Sequence, residues 1–70
     1  MEMKIIKKFE GKRVVVYTEK SIYPYQGILN IVDGEIRIYN VKYTGSMAWL
    51  NNYDVLDKQL IKEIIRKPST

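Results

Sequence analysis

The sequence predicts a mainly β protein: a small, strongly bent five-stranded antiparallel barrel with a short N-terminal helix. Three observations lead to that class. Short runs of β-branched and aromatic residues recur along the chain, the clearest being Val14–Thr18, which reads VVVYT. Compact turn signals separate these runs, above all Asp33-Gly34, because glycine accepts positive φ without steric cost and aspartate tolerates it. Gly27 interrupts an otherwise strand-forming stretch, where a glycine costs stability unless the strand bends sharply or another backbone comes close.

Each element follows in chain order. Met1–Phe9 places Met3, Ile5, Ile6 and Phe9 among lysines, a pattern for a short helix that closes one end of the barrel. Val14–Thr18 is the first strand, and after the turn-like segment KSIYP the alternation of Tyr25–Val32 gives the second. Asp33-Gly34 turns the chain, and Ile36, Ile38 and Val41 return it antiparallel over Glu35–Tyr43. Thr44-Gly45-Ser46 and Asn51-Asn52 are further turns around the apolar stretch Met47–Leu50. The C-terminal segment has two readings. Val55, Leu56, Leu60, Ile61, Ile64 and Ile65 recur at spacings of three and four, which local rules read as an amphipathic helix over residues 54–67. A break at Asp57-Lys58-Gln59 instead yields two strands, Tyr53–Leu56 and Leu60–Arg66.

Size and composition bound the function. Seventy residues make one domain, residues 1–67, with 68–70 as a frayed tail. A chain this small buries only about 60% of its unfolded surface and usually needs a supplement to its core. With no Cys and no His, neither a disulfide nor a zinc site can supply it, so oligomerisation is the remaining common device. The same absences remove the nucleophile–histidine constellations of hydrolases, so no catalytic residue, metal or cofactor is expected. No apolar run approaches the roughly 20 residues of a membrane span, and charges interrupt Met1–Glu10, so a cytoplasmic location is expected.

The net charge of +4 is concentrated at the ends. Residues 1–20 carry six cations against three carboxylates, residues 21–57 two against four, and residues 58–70 four against one. Basic ends of this kind favour a polyanionic partner.

Two stretches carry a family resemblance. Phe9–Val16 contains Gly11-Lys12 before a strand, and Tyr25–Ile36 contains an aromatic residue, Gly27, Leu29, an apolar Val32, Asp33 and Ile36 at fixed spacing. Together they resemble the first motif of the Sm-like (LSm and Hfq) family, whose motif ends in Asn where this chain has Arg37. The spacing of the second family motif falls on Leu56–Ile64, with Asp57-Lys58 in place of the family's Arg-Gly pair and Lys58-Gln59 where the Hfq form has Lys-His. The resemblance implies a barrel whose open strand edges pair with neighbouring subunits into a hexameric or heptameric ring. It also implies binding of single-stranded RNA, U- or A-rich, in a pocket whose positions hold Glu35, Arg37, Asp57, Lys58 and Gln59 here. The resemblance favours strands over the helix in the C-terminal segment.

The candidate site residues also have plainer readings. Arg37 can stack its guanidinium on a base or hold a phosphate, and Lys58 can neutralise one, but Arg37 can equally pair with Asp57. Glu35 and Asp57 oppose a phosphate. The strand tyrosines read mainly as cross-strand packing, and Trp49 as core or interface. Two rivals remain: a monomeric SH3-like or α+β DNA-binding module with a C-terminal helix, and a protein-binding scaffold.

Overall fold

A computed structural model describes residues 1–39 and 52–67. Helix α1 (Met3–Ile6) continues into a 3-10 turn, Lys7–Phe9. Five strands follow: β1 (Arg13–Thr18), β2 (Tyr25–Val32), β3 (Glu35–Tyr39), β4 (Tyr53–Leu56) and β5 (Ile61–Arg66), with a second 3-10 turn, Lys58–Leu60, between the last two. They form one antiparallel sheet in the order β4-β3-β2-β1-β5. The expected turn Thr44-Gly45-Ser46, Asn51, the stretch Met47–Leu50 with Trp49, the end of the third strand and the tail 68–70 lie outside the described residues.

The β2–β3 hairpin forms where the sequence places it. Val32 pairs with Glu35 across a two-residue loop, and both loop residues have positive φ, 51° at Asp33 and 79° at Gly34. That is the geometry whose twist matches the strands it joins.

Among the described residues, β2 pairs with β1 over Tyr25–Ile28 and with β3 over Ile28–Val32. Gly27 packs against the Tyr39 backbone of β3. A side chain there would meet backbone, which is the close approach that the glycine was expected to mark.

Side chains from every strand meet in one core. Val14 and Val16 of β1, Leu29 of β2, Ile36 and Ile38 of β3, Leu56 of β4, and Ile61 and Ile64 of β5 form a single buried cluster with Ile6 of α1. Because the outermost strands contribute to the same cluster, the sheet curls around it. No ladder joins β4 to β5 among the described residues, so each keeps an unpaired edge. The helix seats Ile6 fully buried on this core, with Met1, Met3 and Phe9 packed beside it.

The C-terminal segment is two strands; the helix over residues 54–67 does not form. The helix-like spacing has a specific cause. Val16 pairs with Ile64 and Tyr17 with Glu63, but Thr18 pairs with Ile61, so Lys62 is an extra residue in β5. A bulge of this kind reverses the in–out alternation once, which turns both Ile61 and Ile64 inward at a spacing of three. The 3-10 turn adds a second phase break between Leu56 and Ile61.

Candidate nucleic-acid interface

Alternation along β3 puts Glu35, Arg37 and Tyr39 on the face opposite to buried Ile36 and Ile38. The three side chains join on that face. The Arg37 Nε donates to Glu35 Oε2 at 2.6 Å, and its Nη1 donates to the Tyr39 hydroxyl at 3.2 Å. The ion pair joins Arg37 to Glu35, the neighbour on its own strand, where the sequence left open a pair with Asp57.

β4 completes the cluster. Tyr53 is the register partner of Tyr39, and the two rings stand 5.1 Å apart at 46°. The guanidinium carbon of Arg37 lies 4.5 Å from the Tyr53 ring centre, a cation–π distance. The tyrosines are thus cross-strand packing groups, as their positions in strands predicted. The hydrogen bond with Tyr39, followed by the one with Glu35, holds the Arg37 guanidinium above its ordinary range, so it stays charged at any physiological pH.

The other three candidate positions lie at the start of the 3-10 turn. Asp57 precedes it in an extended conformation, and its Oδ1 accepts from the Gln59 backbone N–H at 2.9 Å, a capping bond. Lys58 and Gln59 are exposed. The Lys58 carbonyl accepts from the amino group of Met1 at 2.7 Å.

Register brings the two halves of the site to one end of the sheet. Ile36 pairs with Leu56, so the Asp33-Gly34 hairpin beyond β3 and the Asp57–Leu60 turn beyond β4 leave the sheet on the same side. The chain start docks there too, through Met1, and Lys4, Lys7 and Lys8 follow it as exposed residues. The structure therefore groups Glu35 with Arg37 and Asp57 with Gln59, and leaves Lys58 as the exposed cation of the turn. Sequence reasoning missed the roles of Tyr39 and Tyr53 as Arg37 partners. The signal was present in the alternation Glu35-x-Arg37-x-Tyr39, which assigns all three to one face.

Among the described residues no three carboxylate, histidine or cysteine side chains stand together as a metal would require. No helix among them is long and apolar enough to cross a membrane. No family model, curated protein or solved structure matches the chain.

Proposed function

We propose that this protein is an Sm-like subunit that assembles into a homo-oligomeric ring and binds single-stranded RNA without catalysing a reaction. The observation that carries the reading is the open sheet. A 70-residue chain with no cysteine leaves β4 and β5 each with an unpaired edge among the described residues, and β4 exposes Val55 at 53%. Such edges invite pairing with another chain, and pairing between copies would supply the burial that a small core lacks. The five short antiparallel strands, the short N-terminal helix and the close approach of backbone at Gly27 support the barrel that the resemblance implies, with β4 of one copy beside β5 of the next. The five pocket positions, Glu35, Arg37, Asp57, Lys58 and Gln59, lie at or next to one end of the sheet, with Lys58 exposed for phosphate.

The test is the salt dependence of RNA binding. Affinity for labelled oligo-U and oligo-A, read by fluorescence anisotropy, is expected to fall with salt at a logarithmic slope of roughly −0.7 for each phosphate neutralised. Replacing Arg37 and Lys58 by Ala flattens that slope. An absence of affinity at low salt contradicts the RNA reading and leaves a protein-binding assembly subunit. One observation favours that second reading: Glu35, Tyr39 and Tyr53 already occupy the Arg37 guanidinium.

A further inference from the structure

The two open edges of the sheet repeat one pattern. On β4, Val55 pairs with Arg37 and stands on the outer face, 53% exposed, while Asp54 and Leu56 pair with Ile38 and Ile36 on the core face. On β5, Ile65 pairs with Val15 on the outer face, 44% exposed, while Ile64 and Arg66 pair with Val16 and Val14 on the core face. Leu56 and Ile64 belong to the core, whereas Asp54 and Arg66 are exposed although their register partners are buried. The two charges are opposite in sign, and neither has an ion-pair partner among the described residues.

Asp54, Val55 and Leu56 run charged, outward apolar, core apolar; Arg66, Ile65 and Ile64 give the same order read backwards. Only an antiparallel ladder matches all three at once, with Asp54 opposite Arg66, Val55 opposite Ile65 and Leu56 opposite Ile64. Every residue then keeps its face, outer against outer and core against core. A shift of two residues, the smallest that preserves the faces, sets Asp54 against Ile64 or Leu56 against Arg66. Self-pairing of an edge does no better: β4 paired about Val55 sets Asp54 against Leu56, and β5 paired about Ile65 sets Arg66 against Ile64. A parallel ladder through Val55 and Ile65 makes both mismatches together.

We propose that β4 of one copy joins β5 of the next in this antiparallel register, and that the Asp54–Arg66 pair selects it over the alternatives. The inference rests on the self-association proposed above and names the residues that determine which edges meet. Opposite charges on opposite edges make the contact head-to-tail, so each copy presents a different edge to each neighbour, and a closed ring leaves no edge open. Charges set against aliphatic groups penalise the other pairings.

Charge exchange tests the proposal. Asp54→Arg sets two cations across the contact and Arg66→Asp sets two carboxylates there, while both positions are exposed in the single chain, so its own fold is undisturbed. Each change is expected to weaken self-association by about tenfold or more, read by sedimentation, with the circular dichroism spectrum of the parent retained. Both changes in one chain are expected to restore the parent's affinity to within about threefold. The chain contains no cysteine, so disulfide formation reads the register directly. Val55→Cys protein mixed with Ile65→Cys protein and mildly oxidised is expected to give clearly more mixed disulfide than Val55→Cys with Glu63→Cys. An oligomer that the single changes leave intact, or a weakening that the combined change does not reverse, overturns this pairing but leaves assembly standing. Equal disulfide yields from the two mixtures overturn the register. A parent that stays monomeric at millimolar concentration overturns both the pairing and the assembly it rests on.

Discussion

Gly27 of β2 lies directly against the carbonyl group of Tyr39 in β3. A Cβ built on Gly27 would overlap that carbonyl oxygen, stand 2.9 Å from the carbonyl carbon, and come within 3.0 Å of the Ile38 Cγ2. Two of these three obstacles are backbone, which a rotamer change cannot move. The glycine therefore permits a close approach of β2 and β3 that a side chain would prevent, within the sheet whose five strands share one core.

Gly27→Val should therefore cost far more than the roughly 0.5–1 kcal/mol that separates glycine from other residues in relaxed backbone. The expected loss is about 2 kcal/mol or more, a large share of the roughly 3–5 kcal/mol that a core of this size supplies. Urea denaturation followed by far-UV circular dichroism measures it. A variant that melts with the parent would show that β2 and β3 can separate at this point without penalty.

Arg37 makes a different kind of prediction. Its contacts with Glu35 and Tyr39 lie along β3, whereas its stacking on Tyr53 spans to β4, so it ties the outer strand to the sheet. A double-mutant cycle between Arg37→Ala and Tyr53→Leu should give a coupling of about 0.5–1 kcal/mol, the range for partly exposed cation–π pairs. Additive effects would mean that the stacking holds nothing.

At the hairpin, Gly34 has a φ of 79° with open space around it, so only the backbone conformation restricts the position. Gly34→Ala should cost about 1 kcal/mol through left-handed backbone alone, and Gly34→Asn distinctly less. Equal melting temperatures for the two variants would contradict that account.

Asp57 has separable structural and electrostatic effects. Asp57→Asn keeps a side-chain oxygen for the Gln59 N–H and removes a charge beside Lys58. It should leave stability within about 0.5 kcal/mol while strengthening RNA binding. Asp57→Ala loses the cap and should cost about 0.5–2 kcal/mol. Thermal melts combined with anisotropy titrations resolve the two effects.

These residues also mark how far the sequence could be read. The Asp33-Gly34 hairpin, the extent of β2 and the meaning of Gly27 were legible because each depends on a local backbone requirement that few residue types meet. The C-terminal strands were obscured because the bulge at Lys62 and the turn at Lys58–Leu60 shift the apolar phase twice, and the outcome depends on pairing with Val14–Thr18, far away in sequence. At the candidate site the pairing of the five positions was not legible. Glu35 holds Arg37 along its own strand, while Asp57 turns its carboxylate to the Gln59 N–H as the cap of the turn beyond β4.

The central claim is that this chain is completed by copies of itself, and native mass measured at micromolar concentration tests it most directly. Sedimentation equilibrium is expected to return a single species of six or seven times 8.3 kDa. A stable, folded species of 8.3 kDa would contradict the account.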